Sequence, residues 1–361
     1  MQALLKDFER GGLALPPDGR KELQRLLDAD AAACASYGAN LANDATKLYV
    51  RPQELEGLPE AFIKERTGED GMVALTLKYP DIIPVTGQCE VQATRKALSM
   101  ARESAFGNNL DLMADGARLR KQTATLLGYK SWAHYVTETR MAGSPEVVVP
   151  FLAKIRDLAR DGAAADLEKL RLAKQAHLEA RGEVAAGEQV TLEAWDTGFY
   201  HNLVLKRDFG VDTEAVRAYF PLDHVVSTTL AIYQELLGLS FTEVPQGAFS
   251  RWHEDVRLFV VHEASLIGAG ELIGHFYLDM HPREGKYSHA AIFHLLKRSG
   301  DQKPTDAMMC NLPAPSTDGT PALLRHDDVR THTGCSNLRP LGSLASLAST
   351  ASRAPWLSRP F

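Results

Sequence analysis

Between Pro145 and Arg181 the chain holds one glycine. Phe151, Leu152, Ile155, Leu158 and Ala159 recur three and four residues apart there, with Lys154, Arg156, Asp157 and Arg160 mostly off their stripe. A 3.6-residue period gathers such positions on one face, so the segment reads as one long helix. The same spacing joins Leu23, Leu26, Leu27, Ala31 and Cys34, and again Val226, Leu230, Tyr233 and Leu237. Gly238 follows the last stripe, where a left-handed C-terminal cap costs least. Residues 1–240 therefore read as a helical region whose stripes pack a core. Gly182 to Gln189 turns small and polar, as a loop at a helix junction does. Met72 to Lys78 is too short and β-compatible to assign, and Tyr79-Pro80 ends it.

From Phe241 the period shortens toward two. Val256, Leu258 and Val260 alternate with Arg257, Phe259 and Val261, and a Gly268-Ala269-Gly270 turn leads into Glu271 to Asp279, which reads as a hairpin. In its second strand Leu272, Gly274, Phe276 and Leu278 share one face, while Ile273, His275, Tyr277 and Asp279 share the other. The first face is expected to pack on helices and leave the second for a cleft. Ala290 to Leu295 and Asp306 to Leu312 are further strand candidates, and Pro321 is expected to open a helix over residues 322–329. The fold class is mainly α, with a small antiparallel-type sheet around residues 254–312. Residues 241–331 form a second region of sheet and helix start.

Composition narrows the function classes. Hydrophobic residues are 45% of the 361 and charged residues 24%, the proportions of a globular protein. A net charge of -6 offers no overall field for nucleic acid or an anionic membrane. Acidic groups precede any apolar run at the amino end, and no apolar stretch reaches the ~20 residues of a membrane span, so a cytoplasmic protein is expected. Cys34, Cys89, Cys310 and Cys335 are scattered without a Cys-x-x-Cys pair and read as free thiols.

Twelve histidines invite a metal, yet no two lie four residues apart as a shared helical face would require. His275, His281, His289 and His294 could instead cluster across a small sheet. The stretch from Phe276 to His289 is the densest in chemistry, with Arg283, Glu284 and Lys286 beside Tyr277 and Tyr287. It reads either as an ion-paired turn on a sheet edge or as a polar wall for a peptide or other polar ligand. The candidate cleft residues are His275, Tyr277, Asp279, His281, Arg283, Glu284, Lys286 and Tyr287. No Gly-x-Gly-x-x-Gly, Walker lysine or Gly-x-Ser-x-Gly motif supports nucleotide or serine-hydrolase chemistry.

The run Gly274-His275-Phe276-Tyr277-Leu278-Asp279-Met280-His281-Pro282-Arg283-Glu284-Gly285-Lys286-Tyr287 resembles a hallmark phrase of the thimet oligopeptidase, oligopeptidase A and saccharolysin family of zinc metallopeptidases. Supporting stretches in the same order are Ala194-Trp195-Asp196 with Tyr200, Tyr219-Phe220-Pro221-Leu222, residues 232–239, and Trp252-His253-Glu254-Asp255-Val256. The similarity covers about residues 1–331. It implies a helical, two-lobed enzyme whose deep channel admits short peptides, with Zn2+ as cofactor. In the family, a phrase like residues 323–331 runs on into His-Glu-Phe-Gly-His, where two histidines grip zinc and the glutamate takes a proton from the bound water. Those positions here hold Gly334, Cys335 and Leu338.

The tail, residues 332–361, has six Ser, five Leu, four Ala and three Arg but no Asp, Glu or Lys, although its proportional share of the 46 acidic residues is about four. It is expected to be disordered and to stem from an altered reading frame, a retained intron or an out-of-frame splice, the alternative being a genuine divergent tail; a transcript across the junction after Thr331 tests this. The chain is expected to be a member of a zinc metalloendopeptidase family without activity of its own, the alternative being a non-catalytic helical peptide-binding protein. Apolar helix faces left in water would invite aggregation or capture by chaperones.

Overall fold

The computed structural model describes residues 2–264, 270–287, 290–315 and 321–331. The Gly268-Ala269 turn, His289, Gly334, Cys335, Leu338 and the tail lie outside the described residues. The chain is mainly α and forms two compact units, one of the described residues up to Leu77 with Val85–Val204, the other of Lys78–Pro84 with the described residues from Leu205 on. Among the described residues no helix is long and apolar enough to cross a membrane.

The first unit carries α1 (Gln2–Arg10), α2 (Pro17–Ala42), α3 (Glu60–Arg66), the end of α4 (Tyr79–Gln88), α5 (Gln92–Glu103), α6 (Asn109–Leu126), α7 (Trp132–Thr137), α8 (Pro145–Ala180) and most of α9 (Thr197–Phe209). Leu23 and Leu26 of the first predicted stripe are buried, and α2 is tied to α6 through Arg120 on Asp30 at 3.1 Å and Asn40 on Asn109 at 2.7 Å. The segment left unassigned at residues 72–78 forms β2 (Val73–Thr76), antiparallel to β1 (Lys47–Val50) with Leu48 opposite Leu75. Val73 and Leu75 point one way and are fully buried, which is what fixes this register.

Helix α8 matches its predicted span and runs about 54 Å at 1.5 Å per residue. Its last turns pack a core of Ala173, Phe199, Tyr200 and Val204. From residue 149 to 169 every position except Ala153 is exposed, Phe151, Leu152, Ile155 and Leu158 among them. The stripe therefore faces water, and its apolar side chains contribute little to stability. Changing Phe151 and Leu158 to lysine is expected to shift unfolding by no more than about 0.5 kcal/mol per site while lowering concentration-dependent light scattering. A loss of several kcal/mol in a denaturant titration would show that these side chains pack a core.

The second unit holds α10 (Thr213–Arg217), α11 (Leu222–Leu237) and a sheet in the order β3-β4-β5-β7-β6, from β3 (Leu239–Glu243), β4 (Arg257–Glu263), β5 (Leu272–Asp279), β6 (Ala291–Leu296) and β7 (Thr305–Met309). Gly238 ends α11 at φ 63°, the left-handed cap expected of it. The sheet starts at Leu239, upstream of the predicted span, and is mixed rather than antiparallel throughout, because β7 inserts beside β5 with His275 opposite Thr305 in a parallel pair. Alternation along a strand reports faces and carries no information on strand direction. Phe259, Leu278 and Met308 pack on Leu222, Val225 and Val226 of α11, with Phe276 stacked on Phe259 at 5.0 Å. Phe276 and Leu278 thus lie on the apolar face read from the sequence, but Ile273, read onto the opposite face, is buried with Leu239 and Val261 in a cluster that Phe276 also joins, where the β4–β5 register shifts.

The helix expected over residues 322–329 begins later, at residue 326. Leu323 instead bridges Pro221, with the Leu222 amide on the Ala322 carbonyl at 2.8 Å and the Leu324 amide on the Phe220 carbonyl at 2.9 Å. Ala322 and fully buried Leu324 thereby enter the α11 core, and this ladder outweighs helix propensity. The Asp328 carboxylate accepts from the Arg325 amide at 3.0 Å and caps the true helix start.

Candidate functional site

Strand β5 delivers Asp279 to a fully buried position, and the chain then turns back over it. Both Nη atoms of Arg283 donate to the carboxylate at 2.8 Å, Lys286 Nζ donates at 2.7 Å, and Trp252 Nε1 donates at 2.8 Å. Lys286 spends its other donors on the carbonyls of Asp279 at 3.1 Å and His281 at 2.6 Å. Gly285 at φ 70° supplies the left-handed residue that lets residue 286 point inward. Beneath the turn, the Cys310 amide meets the Asp279 carbonyl and the Leu312 amide the Met280 carbonyl, both at 2.8 Å.

Electrostatics follow from this packing. Burial alone would raise the Asp279 carboxyl, but the hydrogen bonds from Arg283, Lys286 and Trp252 outweigh it and hold the group well below the usual carboxylate range. Burial pushes the Lys286 ammonium down, and Asp279 opposes that shift. Burial, then the neighbouring His262, holds His275 toward its neutral form.

The structure thus brings Asp279, Arg283 and Lys286 together as one ionic knot, which makes them builders of the turn. Tyr277, on the face opposite Phe276, donates its hydroxyl to the Ser250 carbonyl at 3.1 Å and lies 5.0 Å from the Trp252 ring. His281 Nδ1 lies 3.3 Å from the Leu312 carbonyl. Glu284 is exposed, and Tyr287 is exposed with its ring edge-on to Phe293 at 5.6 Å. His294 pairs with Asp306 at 2.7 Å. The described histidines of this region, His275, His281 and His294, are held separately, and no group of three His, Cys, Asp or Glu side chains converges among the described residues. The donor set of the described residues therefore does not fit zinc.

Two contributors escape motif reading. Trp252 lies 27 residues before the carboxylate it binds, and Lys78 Nζ donates to the Arg283 carbonyl at 3.1 Å across 205 residues. Only folding brings either to the turn.

The stretch that builds this knot lies within a wider likeness. The sequence profile of peptidase family M3 matches residues 85–333. Thimet-like oligopeptidase of Dictyostelium discoideum is 36% identical over 91% of this chain and 49% of its own length. Saccharolysin of Saccharomyces cerevisiae is 28% identical over 90% and 47%, and oligopeptidase A of Escherichia coli 30% identical over 91% and 49%. The chain spans about half the length of the curated relatives it matches. A family match over more than half of the sequence, containing the whole strand and turn around Asp279, means that this chain belongs to peptidase family M3.

Proposed function

We propose that the chain serves the proteolysis of short peptides by lending a strand-and-turn surface on which a peptide lies, and that as written it does not cleave them unaided. The observation carrying the first part is the buried Asp279 knot, which fixes the turn and leaves His281, Glu284 and Tyr287 at its surface. A turn held by four hydrogen bonds from three side chains to one carboxylate loses little freedom when a ligand binds, so less of the binding energy is lost to ordering. Glu284 and His281 can meet amide or ammonium groups, and Tyr287 offers an aromatic face.

The second part rests on chemistry. Peptide hydrolysis at neutral pH in this family uses zinc to acidify water, and of the positions matching its ligand motif Gly334 and Leu338 carry no donor side chain. No hydrolytic step is assigned to the residues present. The expected result with a fluorescent short peptide is saturable binding near about 0.1 mM, weakened in Tyr287→Ala, without cleavage in the presence of added zinc. Chelator-sensitive cleavage by the purified chain would overturn the claim of inactivity. Absence of binding at several millimolar would overturn the peptide surface.

A further inference from the structure

The helical unit contains a pocket of about 260 Å³ between α5, the end of α8 and α9, with no residue of β5 or its turn in its lining. Its inner wall is Arg95 and Tyr200, each 1% exposed. Behind that wall Arg95 Nη2 and Lys174 Nζ both donate to Asp196, at 2.9 and 2.6 Å. Two buried cations thus share one buried anion, and the cluster carries one positive charge in excess. The Tyr200 hydroxyl accepts from Arg95 and lies 3.4 Å from His177 Nδ1, while burial pushes its pKa up to about 12. It is a protonated donor at the pocket wall. Burial, then Arg181, pushes His177 toward the neutral form, so it adds no charge.

The rim has the opposite sign. Glu90 and Glu183 line it and share Arg181, at 2.7 and 2.6 Å, with Glu56 3.9 Å from the same guanidinium. An excess positive charge inside and an excess negative charge at the mouth sort a zwitterion by its two ends, and they disfavour a simple anion at the mouth and a simple amine at the wall. The volume lies below the ~300 Å³ at which pockets for larger ligands begin. Val91, Ala93 and Leu178 give part of the lining an apolar character suited to a short aliphatic group.

We propose that this pocket binds a free α-amino acid, with its carboxylate inward toward the Tyr200 hydroxyl and the excess positive charge behind it, its ammonium outward at Glu90 and Glu183, and a short aliphatic side chain against Val91, Ala93 and Leu178. Arg95, whose donors go to Asp196, to the Tyr200 hydroxyl and to the carbonyls of Cys89, Glu90 and Trp195, acts there by charge alone. The site is independent of the peptide surface on β5.

Calorimetry on the full chain with L-valine, isovalerate and isobutylamine tests it, since the two analogues each lack one charged end. Valine is expected to bind at least about tenfold more tightly than either analogue. Tyr200→Phe removes one hydroxyl from the wall and is expected to weaken valine about tenfold. Glu183→Gln should weaken valine and leave isovalerate unchanged or tighter. No saturable heat up to about 10 mM valine, or isovalerate binding as tightly as valine, overturns the proposal on the unaltered protein. Equal valine affinity in a folded Tyr200→Phe overturns the assigned orientation.

Discussion

Asp279→Asn is expected to lower the stability of the sheet unit by about 3–5 kcal/mol, the usual cost of taking one partner from a buried ion pair. The exchange keeps size and shape, so packing is not at issue. What changes is that Lys286, whose side chain is 1% exposed, keeps only two backbone carbonyls and no counter-charge. Arg283 is 23% exposed and can turn toward water, so the ammonium carries most of the cost. Asp279→Asn combined with Lys286→Met should recover much of the loss, because the orphaned charge leaves with its partner. The pH dependence has a definite sign. The folded carboxyl titrates well below its ordinary value near 3.8, so its contribution is present above that value and is lost as pH falls toward the folded one. In urea titrations followed by circular dichroism, the gap between the parent and Asp279→Asn should be widest at neutral pH and narrow below about pH 4. A variant as stable as the parent at pH 7 would mean that the knot contributes nothing to the fold.

The helices were legible because their signal is local. The stripe from Phe151 to Ala159 and the Gly238 cap each lie within a few turns, and α8 and α11 follow them. The family phrase was legible because it packs many chemically distinct residues into one run. Other features depended on groups far apart in the chain. Alternation placed Asp279 on one face with His275 and Tyr277 but gave no sign that Trp252 and Lys286 would close over it. The parallel β5–β7 pair depends on where a later strand inserts, and Leu324 joins a ladder with residue 220 in preference to a local helix. The buried cation cluster does leave a local signal. Arg95 stands four residues after Val91 and three before Leu98, and Lys174 four after Leu170, so both cations occupy positions on apolar stripes. A cation at such a position demands a buried anion, and Asp196 lies within the family-like stretch Ala194-Trp195-Asp196.

That anion carries the second large effect. Asp196 is fully buried and accepts from Arg95, Lys174, Gln92 and the Glu193 amide, so it neutralises one of two cations and caps the short helical turn at 194–196. Asp196→Asn is expected to cost the helical unit at least about 3–5 kcal/mol, since it leaves two buried positive charges facing each other. The cost should be unequal around the cluster. Lys174→Met takes away the excess charge and leaves a neutral Arg95–Asp196 pair, with Arg95 still donating to the carbonyls of Cys89 at 2.7 Å and Glu90 at 3.1 Å. It loses one bond to the Thr191 carbonyl and keeps most of the stem volume, so its penalty should be the smaller by about 2 kcal/mol or more. Amide hydrogen exchange over residues 170–204, read separately from the sheet unit, measures both variants on one scale. Faster exchange in Asp196→Asn than in Lys174→Met identifies charge imbalance as the cause. The reverse order would mean that the lysine stem and its carbonyl bond, rather than the carboxylate, hold α8 to the 191–196 segment.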